Sequence, residues 1–129
     1  MRETPSGEEL LIIARKLLRE ELIPLLPEDR RYDALMVANA MAIAARQMGF
    51  GDAYEDRERE DLAQLLERTD DGDGGAPGDL HQNLGAKIRR GDFDPGTPLH
   101  DTVRDFLLEV TVQRLRESAP NTLKEAGMV

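Results

Sequence analysis

Apolar residues recur at helical spacing along most of the chain, and no stretch alternates in the way that a β-strand does. A first helix is predicted from a capping box at Ser6 and Glu9 to about Leu22, since Pro24 and Pro27 lack the N–H that would continue it. The pattern predicts an all-α fold, a bundle of about five helices forming one domain over residues 1–129. The apolar stripe of the first helix comprises Leu10, Ile13, Ala14, Leu17 and Leu18.

The second predicted helix, Glu28 to Met48, is apolar around its whole circumference in the segment "MVANAMAIAARQM". Gly49 is placed to end it in a left-handed cap. A helix without a polar face has to be surrounded by other helices, by a second copy or by lipid, and this segment is too short to cross a bilayer. The sequence therefore predicts that this Ala/Met-rich helix is the central one.

Three uses of this helix remain open at the level of sequence. Its alanines can let neighbouring helices pack closely, its alanines and methionines can line a cavity for an acyl chain, or it can form a subunit interface. Asn39 lies in the middle of the helix, and a buried amide there would need a partner in a loop or helix end, or a ligand.

Three further helices are predicted, at about 52–68, 79–90 and 97–118. Gly91 would stop the fourth helix, and Thr97 would cap the fifth, with Pro98 at its first position. Apolar residues on several sides of the fifth helix predict burial on more than one side. The segment "TDDGDGGAPG" at 69–78 is predicted to be a flexible acidic loop.

The net charge is −9, from 17 basic and 26 acidic residues, which disfavours nucleic acid and anionic membranes as partners. The acidity is local, because Asp52–Asp79 holds 11 acidic and three basic residues. There is no cysteine, the N-terminal residues form no apolar signal core, and no stretch is long enough to span a membrane. These features predict a cytoplasmic protein.

No catalytic constellation stands out in the sequence, and we expect no cofactor and no metal. His81 and His100 have no metal-ligand spacing, and Ser6 and Ser118 lie at helix ends. A calcium loop starting at Asp71 places Ala76 where glycine is needed and Gln82 where glutamate is needed. The "EDREREDL" run is typical of a solvated salt-bridge face, and an enzyme that uses a carboxylate pair stays open.

Four segments together resemble an uncharacterised bacterial family of small all-helical domains of unknown function: "EELLIIARKLLREELIPLL", "RYDALMVANAMAIAARQ", "GDLHQNLGAKIRRGDFD" and "LRESAPNTL". The matching features are Pro24, the Ala38–Asn39–Ala40 triplet and the Ile88–Gly91 segment before an acidic turn. Genes of that family are often found beside aminoglycoside-phosphotransferase-like kinases and acyl-CoA dehydrogenases. The resemblance therefore implies an accessory role in an acyl-CoA-related pathway.

Two functional hypotheses follow. The first is a non-enzymatic helical interaction module, acting as a homo-oligomer or as an accessory subunit bound to a protein partner. The second is a small-molecule binder of the acyl or acyl-CoA type, with Asn39, Arg46, Arg89 and Arg90 as candidate polar contacts.

Overall fold

A computed structural model describes residues 3–69 and 79–128 of the chain. These residues contain six α-helices and no β-strand, which confirms the all-α prediction. No helix within the described ranges is long and apolar enough to cross a membrane. The helices are α1 (Gly7–Leu17), α2 (Glu28–Phe50), α3 (Ala53–Glu67), α4 (Leu80–Arg89), α5 (His100–Ser118) and α6 (Pro120–Glu125).

The chain divides into two compact units. Unit 1 comprises Met1–Gly51 and Arg116–Val129, and unit 2 comprises Asp52–Leu115. Each unit is described by itself below. The assignment of residues 1–129 to one domain stays a prediction.

In unit 1, α1 and α2 form an antiparallel helical hairpin. The predicted capping box begins α1: Ser6 Oγ accepts from the Glu9 N–H at 3.3 Å, and the Glu9 carboxylate accepts from the Ser6 N–H at 2.6 Å. At the open end of the hairpin Gly7 lies beside the Met48 side chain, whose terminal methyl would have to move to make room for a Cβ at Gly7. Further along, Arg15 Nε donates to the Ala38 carbonyl at 3.2 Å.

The turn between α1 and α2 is itself helical. A π-helical turn at Leu18–Leu22 leads into a 3₁₀ turn at Ile23–Leu25, because Pro24 has no N–H with which to continue an α-helix. Arg31 stabilises the turn by donating to the carbonyls of Leu26 at 3.2 Å and Pro24 at 3.5 Å. Ile23 is buried, whereas Leu25 is 81% exposed.

Unit 2 contains the main hydrophobic core of the described residues. Leucines of α3 pack with α4, with the following turn and with the start of α5. Asp79 caps α4 through its carboxylate, and Gly91 takes φ +85° directly after the C-cap residue Arg90. The buried apolar residues of the cluster are Leu62, Leu65, Leu66, Leu84, Phe93 and Val103.

Two boundary predictions are corrected, and one helix was not predicted. The left-handed glycine that ends α2 is Gly51, at φ +67°, because the helix runs two residues past Met48 to Phe50. Thr97 does not cap α5, since its hydroxyl donates to the Asp94 carbonyl at 2.7 Å and the helix starts at His100. The sequence reading also missed α6, where Pro120 occupies the first turn.

The expected burial of two helices is also wrong. In α2 only Ala38 and Ala45 are buried, and Met36 and Met48 are each about half exposed. In α5 only Val103 is buried, and Leu108 is 52% exposed. Each helix packs along one stripe and leaves its other apolar residues at the surface. The predicted flexible loop, apart from Thr69, and the calcium-loop positions 71–76 lie outside the described residues.

Candidate interaction surface

One face of the α1–α2 hairpin carries apolar residues and no charged side chain along most of its length. Arg15 and Gly7 mark the side of α1 that contacts α2. At 3.6 residues per turn, the stripe Leu10, Ile13 and Leu17 lies about a third of a turn away from that side. These three side chains are 53%, 58% and 49% exposed.

A matching row of α2 lies on the same face of the hairpin. Ala38 and Ala45 point toward α1 and are buried, while Val37, Ala40, Ala44 and Met48 lie to one side of them. Because the two helices are antiparallel, this side of α2 adjoins the leucine stripe of α1. We call the combined surface the Leu/Ala face, defined by Leu10, Ile13, Ala14, Leu17, Val37, Ala40, Ala44 and Met48.

The distribution of exposed apolar residues distinguishes the two units. Twelve of the sixteen large apolar residues that the structure describes as exposed belong to unit 1. Among the described residues of the same unit, only two large apolar side chains are buried, Ile23 and Leu123, beside the small Ala38 and Ala45. Short helices in water depend on tertiary packing for most of their stability. Unit 1 thus leaves at its surface the side chains that would ordinarily form a core.

A polar cluster in unit 2 is centred on the Glu58 carboxylate of α3. Its Oε1 accepts from His81 Nε2 of α4 at 2.7 Å and from the Arg114 guanidinium of α5 at 3.0 Å. The Glu58 side chain is only 17% exposed, whereas His81 and Arg114 are 56% and 64% exposed. Asp79 lies 3.8 Å from His81 Nδ1. One carboxylate therefore links three helices.

The electrostatics of this cluster favour a structural role. Burial raises the pKa of the Glu58 carboxyl, but the hydrogen bond from His81 and the charge of Arg114 outweigh it and lower the pKa below its ordinary value. A general acid at neutral pH needs the opposite shift. Two donors keep Glu58 ionised, and the ionised carboxylate stabilises the packing of α3 against α4 and α5 by accepting from both.

Unit 2 also contains small surface cavities. The one beside Glu58 has a volume of about 30 Å³, the size of a single water molecule. A second, of about 280 Å³, is an open apolar cleft lined mainly by Ile88, Phe93, Val103 and Leu107, with His100 and Arg104 at its edge. Ligand pockets start at about 300 Å³, so this cleft is at the lower limit for a small ligand.

Comparison with known proteins identifies the family of the chain. A family model described as "Domain of unknown function (DUF6285)" matches residues 24–122. The chain belongs to the DUF6285 family. No curated protein and no solved structure matches it. The predicted resemblance to an uncharacterised family is confirmed to this extent.

The DUF6285 match covers one of the two rows of the Leu/Ala face. It begins at Pro24, so α2 lies within it and α1 lies before it. The α2 row of small residues is part of the region that the family model describes, whereas the leucine stripe of α1 belongs to the preceding segment of this DUF6285 chain.

The structure places two predicted ligand contacts, Asn39 and Arg46, on α2 in unit 1. Asn39 is exposed, so the expectation of a buried amide that fixes the packing does not hold. Arg46 is partly buried, and its Nε donates to the Glu117 carbonyl at 2.6 Å. Arg46 therefore bonds the end of α5 within unit 1.

The other two predicted contacts, Arg89 and Arg90, lie at the end of α4 in unit 2. Both are exposed, and Arg90 donates to the Asp92 carboxylate at 2.6 Å. The four candidates thus fall in two units, and none of them lines either of the cavities described above. Their role in ligand binding stays a prediction.

The sequence did not predict the side-chain hydrogen bonds that the two histidines make. His100 Nδ1 donates to the Phe93 carbonyl at 2.8 Å, across the turn before α5. His81 meets Glu58, 23 positions earlier in the chain. The surface ion pairs predicted along α3 are present as Arg59–Asp56 at 3.2 Å and Arg57–Asp61 at 3.7 Å. Local pairs follow from helical spacing, but contacts between helices do not.

Proposed function

We propose that this DUF6285 chain is a non-enzymatic helical interaction module, with the Leu/Ala face as the surface that binds another polypeptide. The observation that supports it is the half-exposed stripe of Leu10, Ile13 and Leu17 on a unit with few buried large side chains. Contiguous apolar surface of this kind is typical of protein–protein interfaces. The lowered pKa of Glu58 supports a structural use of the polar cluster in unit 2.

The partner is either a second copy or another protein. In the setting that the bacterial gene neighbourhood implies, it would be an enzyme of an acyl-CoA-related pathway, in the cytoplasm. The chain would then act as an accessory subunit without a catalytic group of its own.

To test this proposal, the full chain is tagged and isolated at native abundance from its source cells, together with whatever is bound to it. Native mass spectrometry then gives the mass of the isolated assembly. We expect a mass above the 14.4 kDa of one chain. Ile13→Asp should release the chain, because a carboxylate would be desolvated in the interface. The matched control is Leu25→Asp, since Leu25 is more exposed and lies off the Leu/Ala face. A single-chain mass for the wild type, or equal losses in both variants, would contradict the proposal.

A second candidate function is binding of a small apolar or acyl ligand, and the apolar cleft of unit 2 favours it. Mass spectrometry of molecules released from the purified protein, with thermal shifts on adding acyl-CoAs, tests this candidate. Ile88→Asp, at a lining residue that is 41% exposed and so outside the buried core, should abolish any shift that arises in the cleft. The absence of both a released ligand and a shift would reject the candidate.

A further inference from the structure

We infer that the occupant of the Leu/Ala face is a second copy of this chain, forming a two-fold four-helix bundle from two α1–α2 hairpins. This inference rests on the proposed interaction function and names its partner. Three properties of the face carry it: its area, its charge and the arrangement of large and small residues.

The area fits a dimer of ordinary size. The five large residues of the face are each about half exposed, between 49% for Leu17 and 58% for Ile13. Taking roughly 150 Å² for a large apolar side chain, these residues and the three alanines present on the order of 500 Å² of apolar surface. A stable interface buries about 800 Å² on each partner, of which some 60% is apolar, or about 500 Å².

The charge allows two copies to meet through unit 1. Unit 1 has nine basic and ten acidic residues, a net charge of −1, whereas unit 2 has eight basic and sixteen acidic residues, a net charge of −8. The nearest ion pair on this side of α2 is Arg30–Asp33, at the turn end of the hairpin. Two copies of a nearly neutral surface face each other without like-charge repulsion. Self-association through unit 1 therefore meets less electrostatic repulsion than self-association through unit 2 would.

The arrangement of residue sizes makes the face complementary to itself. Its α1 row is bulky (Leu10, Ile13, Leu17), and its α2 row contains Ala40 and Ala44. A two-fold axis parallel to the helices places α1 of one copy over α2 of the other, and the two helices run antiparallel. Large side chains then enter the gaps above alanines, as in coiled-coil-like packing.

The register follows from contacts within the hairpin. Gly7 lies beside Met48 and Arg15 beside Ala38, so Leu10 is level with the segment around Ala44. An axis parallel to the helices preserves this level. Leu10 of one copy should therefore meet Ala44 of the other.

The first experiment measures the mass of the purified full chain by light scattering over a concentration series. We expect a mass approaching twice 14.4 kDa. Ala44→Arg should weaken the dimer about tenfold or more, because a guanidinium would fill the gap that receives Leu10. Leu35→Arg is the matched control: Leu35 lies on α2, is 43% exposed and, nine residues before Ala44, lies on the opposite side of the helix, so the dimer should persist. Helical content by circular dichroism shows that both variants fold.

The second experiment tests the register without a disruptive substitution. The natural chain has no cysteine, so Leu10→Cys and Ala44→Cys variants can be mixed and oxidised. A disulfide should join unlike variants faster than like ones. A wild-type chain that stays at single-chain mass at its solubility limit would overturn the inference, as would a dimer whose like variants cross-link faster than unlike ones. If the isolated chain is monomeric but the assembly from cells contains another protein whose binding Ile13→Asp abolishes, the self-association fails and the proposed function stands.

Discussion

Replacing Glu58 with glutamine removes the charge at the centre of the cluster that links α3, α4 and α5. Glutamine keeps the size of the side chain and a carbonyl oxygen that can still accept hydrogen bonds, so the substitution tests the charge more than the packing. Glu58 accepts from His81 at 2.7 Å and from Arg114 at 3.0 Å.

The expected cost follows from exposure. A hydrogen bond to a charged group contributes about 1.5–3 kcal/mol in a dry site, and an exposed ion pair contributes less than about 1 kcal/mol. Glu58 is mostly buried, but both donors are more than half exposed. We therefore expect Glu58→Gln to lower the free energy of unfolding of unit 2 by about 1.5 kcal/mol at neutral pH, and by less in high salt.

The pH dependence gives a sharper test than the size of the loss. The folded-state pKa of Glu58 lies below the ordinary value of 4.5, so the ionised carboxylate stabilises the fold above that pH. This contribution is lost as the pH falls through the folded-state pKa. The difference between the wild type and Glu58→Gln should therefore be largest near neutrality and disappear in acid.

The assay is urea unfolding followed by tyrosine fluorescence in a Tyr32→Phe background. The chain has two tyrosines and no tryptophan, so Tyr54, on α3, then reports on unit 2 alone. Glu60→Gln, an exposed carboxylate on the same helix, is the control and should change stability little. A stability difference for Glu58→Gln that stays constant from neutral pH into acid would refute the electrostatic explanation.

Further predictions concern packing and backbone. Leu62 has no exposed surface, so Leu62→Ala should cost unit 2 about 3 kcal/mol in urea unfolding, whereas Leu108→Ala, at a site that is 52% exposed, should cost under about 1 kcal/mol. Equal losses would mean that the core assigned to unit 2 is wrong. Gly91→Ala should lower the free energy of unfolding by about 1–2 kcal/mol, because Gly91 has φ +85° and an added Cβ would lie 2.8 Å from Asp94 Oδ2. Gly85→Ala, within α4 and with 3.7 Å to the nearest atom, should instead stabilise by about 0.5–1 kcal/mol, and a loss there would contradict the assigned helix.

The elements that the sequence predicts well are those set by neighbouring residues. The Ser6–Glu9 box begins α1, Asp79 begins α4, and Gly91 ends the same helix region, because each device acts over three or four positions. The prediction that Gly49 ends α2 is wrong, because Gly51, two residues later, takes the positive φ at the end of that helix. Local pattern does not decide between two suitable glycines.

Burial and long-range contacts could not be predicted in this way. The stripe of Leu10, Ile13 and Leu17 has the spacing of a core stripe, yet α1 contacts α2 through a different side, with Arg15 in the contact. A helix with apolar residues on several sides offers more than one packing face, and tertiary structure selects among them. The Glu58–His81 pair depends in the same way on how α3 meets α4.

The π turn at Leu18–Leu22 has a consequence for the length of this segment. A π turn closes its hydrogen bonds one residue later than an α-helix does, as in the bond from the Ile23 N–H to the Leu18 carbonyl. Every side chain beyond it is consequently rotated by about 100° relative to an unbroken α-helix. Removing one exposed residue between Leu18 and Ile23 would turn this bond into an ordinary α-helical one and leave Ile23 in its buried position, so this turn should tolerate the loss of one residue better than the regular part of α1 does.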